Sequence, residues 1–323
     1  MPLPPLPFQP IFKPALWGGT GLRPMFGAAP SEEPTGEAWV LADVGPDSSV
    51  VASGPLVGIS LRQLMRERPA ELLGRDRPAD DRFPLLLKFI QARQPLSVQV
   101  HPTDDVARRF EGPAAVGKTE AWVVLDAEPG AELYAGLAAR ATAAEFRTAI
   151  DRGDVETHLR AHPAAVGDCY FLPAGTVHAI GGGLLLFEIQ QPSDLTYRLY
   201  DWKRVDPKTG RPRELHVEKG LASVDWFRAP VEPVRAKATA GRATLVECPY
   251  FGLTRWDADQ PFRVGAAGRC RVVVGVSGRA VVRAGGDRYP VGPGSVWLIP
   301  ASVGECECVP DGRVTILECT PPG

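Results

Sequence analysis

The sequence predicts a mainly β protein made of two small jelly-roll barrels with a short helical insertion. Three observations lead there. Glycine and proline, 34 and 33 of 323 residues, cut the chain into short strand-like runs, a density of breakers that suits antiparallel strands rather than alternating βαβ units. Helical periodicity is confined to a few stretches. One turn-and-strand pattern also occurs twice: setting residues 166–175 beside 291–302 so that Pro173 meets Pro300 also matches Gly167 with Gly294 and Ala174 with Ala301. Such a repeat is the mark of a duplicated barrel.

The elements follow in order. Ser60 is a plausible N-cap for a helix with apolar residues at 61, 64 and 65. Gln94 to Pro102 reads as a strand, as do the run from Lys118 and the runs on either side of the Pro173-Ala174-Gly175 turn. Thr142 to Arg147 looks like a capping box opening a helix that Gly153 closes. A second short helix is expected over 155–161, giving a helical insertion at about 139–163. Gly181-Gly182-Gly183 lacks a following Lys-Ser/Thr, so it reads as a hairpin turn rather than a phosphate loop. Gly278, between two valine-rich runs, reads as another hairpin. The join between the halves is expected near 228–242, with residues 1–230 forming the first half and 240–323 the second. In the repeat alignment His178 falls opposite Glu305, and the second half has no Gln-x-His, so that barrel is expected to be metal-free and structural.

Bulk properties exclude several function classes. The formal charge of −2 gives no electrostatic footprint for nucleic acid or an anionic membrane. No apolar run approaches the ~18 residues of a membrane span. The N-terminus, Met-Pro-Leu-Pro-Pro-Leu-Pro-Phe, has no basic region ahead of an apolar core, so no signal peptide is expected. Six cysteines form no Cys-x-x-Cys pair; Cys306 and Cys308 read as small apolar residues on one strand face, consistent with a reducing, cytoplasmic setting.

The chemistry concentrates in the first half. Gln99 and His101 stand two apart in the strand-like run Leu96-Ser97-Val98-Gln99-Val100-His101-Pro102. Alternation puts them on one face, with Cα atoms roughly 6–7 Å apart, while Val98 and Val100 face a core. Glu120 opens the next strand, with Lys118 on the same face, and His178 follows the Pro-Ala-Gly turn. Gln99, His101, Glu120 and His178 make a set of two nitrogens and two oxygens that zinc accepts and non-haem iron could accept. With a single carboxylate, a divalent ion there would keep net positive charge, which suits polarising a substrate oxygen.

These words, in this order, resemble the type I phosphomannose isomerases of the shorter bacterial kind, in the cupin superfamily. The resemblance spans most of the chain. Its carriers are Trp17-Gly18-Gly19, Gly36-Glu37-Ala38-Trp39, Leu86-Leu87-Lys88-Phe89-Ile90, the Gln99/His101 strand, Gly117-Lys118-Thr119-Glu120, Pro173-Ala174-Gly175-Thr176-Val177-His178, Tyr197-Arg198-Leu199-Tyr200-Asp201-Trp202 and Arg213-Glu214-Leu215-His216. It implies two cupin barrels and one Zn2+ per chain held by Gln99, His101, Glu120 and His178. It also implies Arg198 as an essential arginine and Lys118 as a lysine close to the metal. The implied reaction interconverts mannose 6-phosphate and fructose 6-phosphate through a cis-enediol or enediolate. The long helical domain of larger relatives is reduced here to the stretch near 139–163. Asp194, Glu188, Lys118 and a metal-bound water are the candidates for moving the proton. Ser97, Lys88, Arg93 and Lys203 are candidate contacts for the phosphate of the hexose-phosphate substrate. His158, His162 and His216 are expected to carry no chemistry, the first two as solvated residues. A non-catalytic sugar-phosphate-binding cupin with a structural zinc is the alternative. An iron oxygenase is disfavoured by the glutamine in the ligand set.

Overall fold

A computed structural model describes residues 2–74 and 81–322. With 43% of residues in strands and 14% in helices, the chain is mainly β. It divides into two compact units: a first unit of Phe12–Ala38 and Phe89–Val234, and a second of Met1–Ile11, Trp39–Lys88 and Arg235–Gly323. A single cut near 228–242 does not describe this division. Early segments belong to the second unit because their backbone pairs there: Leu6 lies opposite Leu298, and the Ala301 N–H donates to the Leu72 carbonyl.

The first unit is built on strands β1 (Ile11–Gly19), β2 (Thr35–Leu41), β3 (Leu86–Ala92), β4 (Val98–Val100), β5 (Glu120–Ala127), β6 (Glu132–Leu137), β7 (Leu159–Pro163), β8 (Cys169–Leu172), β9 (His178–Ile180), β10 (Leu184–Gln190) and β11 (Tyr197–Tyr200), of which Ile11, Trp39–Leu41 and Leu86–Lys88 are counted with the second unit. They form two sheets, one ordered β7-β6-β9-β4-β11 and the other β8-β5-β10-β3-β2-β1. Alternation decides what each face does. Val98, Val100, Tyr197 and Leu199 turn to a core that they share with Phe146, Ala149 and Ile150 of the helix Ala143–Arg152. Trp122, Val124, Leu133, Ala135, Ile180 and Leu186 build a second core from strands of both sheets. Residues of the opposite parity, Gln99 and Arg198, are thereby left to the other face of their sheet.

The helix at 143 has the expected capping box between Thr142 and Glu145, and Gly153 ends it in the left-handed region. Ser60 caps Leu61–Glu67 as expected. The expected helix over 155–161 is instead one 3-10 turn, Val155–His158, followed by β7, whose backbone pairs with β6. An open sheet edge offers those backbone groups ladder partners, which a short helix of weak periodicity cannot match. A helix at Asp104–Glu111 was not anticipated, although Thr103 caps it, Asp104 and Asp105 open it, Arg108 and Arg109 close it and Gly112 follows. Gly181-Gly182-Gly183 is not a hairpin: β9 and β10, which it joins, lie in different sheets.

The second unit contains β12 (Arg242–Glu247), β13 (Gly252–Ala258), β14 (Phe262–Val264), β15 (Arg271–Ala284), β16 (Asp287–Val291), β17 (Val296–Ile299) and β18 (Cys306–Thr320). With Leu6–Pro7 they form one eight-stranded sheet. Cys306 and Cys308 are buried on one face of β18 as expected, in a core with Val273, Val282 and Ile316. β8 and β17, the strands of the internal repeat, each stop just before their prolines, Pro173 and Pro300. Gly278 is not a turn. It lies inside β15, where the register to β18 shifts on both sides of Ser277, and the hairpin falls later, between Ala284 and Asp287. A glycine at positive φ serves a bulge as well as a turn.

Gly278 has φ +72, and a Cβ there would run into the Arg313 carbonyl oxygen. Gly278→Ala is expected to cost about 1–3 kcal/mol, from backbone strain and displaced chain. Gly285→Asn, at φ +58 in open space, should cost less than about 1 kcal/mol, since Asn tolerates that region. Urea unfolding of the two variants checks the contrast.

Candidate metal centre

Three backbone ties bring the motif words together. The Gly175 N–H of the Pro-Ala-Gly turn donates to the His101 carbonyl at 2.8 Å, and the Lys118 N–H donates to the Pro102 carbonyl at 3.1 Å. The Ala174 N–H donates to Thr119 Oγ1 at 3.2 Å. Gly117 ahead of the lysine is dictated by contact: its N–H donates to Asp104 Oδ1 at 2.7 Å, and a Cβ on it would lie 2.6 Å from the Asp104 backbone nitrogen.

The result is a buried cluster. Ligand atoms of His101, Glu120 and His178 lie within 4.8 Å of one another, and these side chains are 1–2% exposed. His101 directs Nδ1 to the Leu195 carbonyl at 2.9 Å, and His178 directs Nδ1 to the Thr176 carbonyl at 2.9 Å. A carbonyl only accepts, so both Nδ1 atoms carry the proton and both Nε2 atoms present a lone pair. Those Nε2 atoms stand 3.3 and 3.4 Å from the two oxygens of Glu120, of which Oε1 has no hydrogen-bond partner. Two imidazole lone pairs aimed at a buried carboxylate repel unless a cation lies between them. Lys118 Nζ reaches the cluster, 2.7 Å from Glu120 Oε2 and 3.2 Å from His101 Nε2. This donor set fits a divalent metal.

Gln99 joins at the edge. Its Nε2 is 3.2 Å from His178 Nε2, while its Oε1 accepts from Ser97 Oγ at 3.1 Å. A half turn of the amide exchanges the two ends and presents oxygen to an ion. His178 and Arg198 both lie opposite Gln99 on the neighbouring strands β9 and β11, so one cross-strand row runs His178, Gln99, Arg198. Arg198 is half-buried. It donates from Nη1 to the Glu214 carbonyl at 2.8 Å, and its Nε has no hydrogen-bond partner. It is not paired with Asp201, whose carboxylate is taken by Arg213. Burial lowers the Arg198 pKa, and the neighbouring Arg213 adds to this.

Behind Lys118 stands Glu188, 3.5 Å away through Oε1; its Oε2 accepts from the Trp122 indole at 2.9 Å. Trp122 also meets the His178 ring edge-on at 5.2 Å. Trp122 escaped the sequence reading, although it continues the inward parity of Lys118 and Glu120. Arg213 stands in the sequence only as part of the Arg213-Glu214-Leu215-His216 word, with nothing local to give it a role. Of the other candidates, Ser97 is buried against Gln99, whereas Asp194, Arg93 and Lys203 are exposed. Lys88, in the second unit, is buried with its Nζ 5.0 Å from the Trp39 ring centre. His162 is buried against Tyr170 rather than solvated. His158 packs on Phe146. His216 accepts from the Arg198 backbone N–H at 3.2 Å.

Fold and site together define a cupin whose first unit carries a buried histidine–carboxylate cluster able to hold a metal. Residues 6–115 match the family described as phosphomannose isomerase type I, catalytic domain, and residues 242–317 match mannose-6-phosphate isomerase, cupin domain. The mannose-6-phosphate isomerase ManA of Bacillus subtilis is 38% identical over 307 residues, 93% of this chain and 94% of that protein. The mannose-6-phosphate isomerase of Streptococcus mutans is 34% identical over 290 residues, 89% and 90% of the two chains. The crystal structure of a mannose 6-phosphate isomerase from Bacillus subtilis superposes with a TM-score of 0.88 at 32% identity, covering 98% of this chain and 99% of that one. The chain belongs to the type I phosphomannose isomerase family.

Burial, then the Lys118 charge, pushes the His101 pKa down to about 3, and burial also lowers that of His178. Burial would raise the Glu120 pKa, but the Lys118 ammonium outweighs it and holds the carboxyl well below its ordinary range. From pH 6.5 down to about 3 the unfolded chain therefore binds protons that folded His101 refuses, so metal-free protein should lose stability across that window as pH falls. The slope should approach about 1.4 kcal/mol per pH unit per histidine, and the contribution should be complete above pH 6.5. Denaturation midpoints across this range check the sign.

Proposed function

We propose that the chain is a zinc-dependent aldose–ketose isomerase that interconverts mannose 6-phosphate and fructose 6-phosphate through a cis-enediol(ate), with the reaction carried in the first unit. The observation that carries this reading is the buried Glu120 facing the Nε2 atoms of His101 and His178, with its Oε1 left without a hydrogen-bond partner. His101, Glu120, His178 and the amide oxygen of Gln99 would hold the zinc. When bound, it supplies a Lewis acid that stabilises negative charge developing on the sugar oxygens.

The difficulty of the reaction is proton removal beside a carbonyl, which concentrates charge on the oxygens of carbons 1 and 2. Arg198, one strand from Gln99 and with Nε available, orients the open-chain sugar and offsets that charge through its planar fork. Lys118 Nζ, beside the metal ligands, would hold or deliver a proton at those oxygens. Glu188 and Glu120 keep its ammonium in place from two sides. Buried Trp122 and Val124 keep the inner wall apolar and limit water. The hexose phosphate is the partner. All six cysteines are free, which supports a reducing, cytoplasmic setting.

Purified protein should contain about one zinc per chain and equilibrate the two hexose phosphates in a coupled assay. His178→Ala should lose metal and activity together. Arg198→Ala should keep its metal but lose roughly 100-fold or more in turnover. A fully zinc-loaded protein that leaves mannose 6-phosphate unchanged rejects the proposal, and an unimpaired Arg198→Ala enzyme removes that residue from it.

A further inference from the structure

We infer that the exposed hairpin following Tyr200 is a strap that holds Arg198 in its working orientation, with Arg213 and Asp201 as positioning residues that close it; the inference rests on the isomerase reading above. β11 ends at Tyr200, and the chain then passes through Trp202 and Lys203, at φ 55 and 52. Two consecutive non-glycine residues in the left-handed region persist only where surroundings impose them. Here the Trp202 indole N–H donates to the Leu96 carbonyl at 2.6 Å, and the Arg204 guanidinium donates to the Pro95 carbonyl. Both anchors lie just upstream of Gln99 on the chain.

The chain next makes a short hairpin, Val205–Asp206 against Arg211–Pro212, with an exposed tip. It returns at Arg213, whose guanidinium grips buried Asp201 with two bonds, Nε to Oδ2 at 2.8 Å and Nη2 to Oδ1 at 2.5 Å. The two ends of the excursion are thus clasped by a bidentate pair, the strongest side-chain link of this kind. Immediately beyond the clasp, the Glu214 carbonyl accepts from Arg198 Nη1, and His216 brackets the Arg198 backbone on both its N–H and its carbonyl. The residues just after the clasp thus bond both the side chain and the backbone of Arg198. The Lys208–Glu33 pair at the tip is exposed and adds little.

The test compares Arg213→Ala, Arg198→Ala and the double variant in the coupled assay, with zinc content and the NMR signal of the Arg198 Nε–H measured on each protein that retains Arg198. Arg213→Ala should slow turnover about 10-fold or more at unchanged zinc content and broaden or average the Arg198 signal. The double variant should be no slower than Arg198→Ala alone, as expected for residues acting through one another. Arg213→Lys, which cannot make the bidentate pair, should recover only part of the rate. Should Arg213→Ala fail to fold, Asp201→Asn removes the charge at constant size, and the same non-additivity is expected with Arg198→Ala. Fully multiplicative losses in the double variant, or an Arg198 signal as ordered as in the unaltered protein, would overturn the strap. If the unaltered chain shows no isomerisation, the functional proposal fails instead, and the Arg198 signal alone then decides the strap.

Discussion

A charged carboxylate sits in the interior of the first unit, and much of the surrounding structure answers to it. Glu120 is 1% exposed, a position that is costly for an ion without compensation. One charge reaches it directly, from Lys118, and two imidazoles turn unprotonated nitrogens toward it. Both imidazoles are held neutral by burial and fixed in one tautomer by backbone carbonyls. Such a cluster is poorly matched to itself and well matched to a divalent cation.

The sheets make this arrangement affordable in structural terms. Every side chain of the cluster is on or next to a strand whose neighbouring residues are committed to a core. Val98 and Val100 pack against the helix Ala143–Arg152, so Gln99 cannot turn away without exposing them. Trp122 and Val124 lie in the inner core, so Glu120 and Lys118 are held to the same side. Burial worth about 1.5–3 kcal/mol for each large apolar side chain thereby sets the orientation of groups that would not choose the interior themselves.

Loops add what strands cannot. The Pro-Ala-Gly turn is bonded to the His101 backbone, and the segment before Lys118 is bonded to Pro102 and Asp104. Segments far apart in the chain are thus tied at the backbone within a few residues of their functional side chains, the rigid support that a preorganised site requires.

Much of this was legible in the residues themselves. The mainly β class followed from the breakers, and the caps at Ser60 and Thr142 and the end at Gly153 followed from local chemistry. The shared faces of Lys118 with Glu120 and of Cys306 with Cys308 followed from alternation. These are properties of a few consecutive residues, and backbone geometry alone decides them. Tertiary structure decided the rest. The strand at 159, the bulge at Gly278, the crossing at Gly181-Gly182-Gly183 and the assignment of early segments to the second unit all depend on which distant strand supplies the hydrogen bonds. So does the row of His178, Gln99 and Arg198, and so does the capture of Asp201 by Arg213 rather than Arg198. Periodicity says which way a side chain faces; only the closed network of strand pairings says what it meets there.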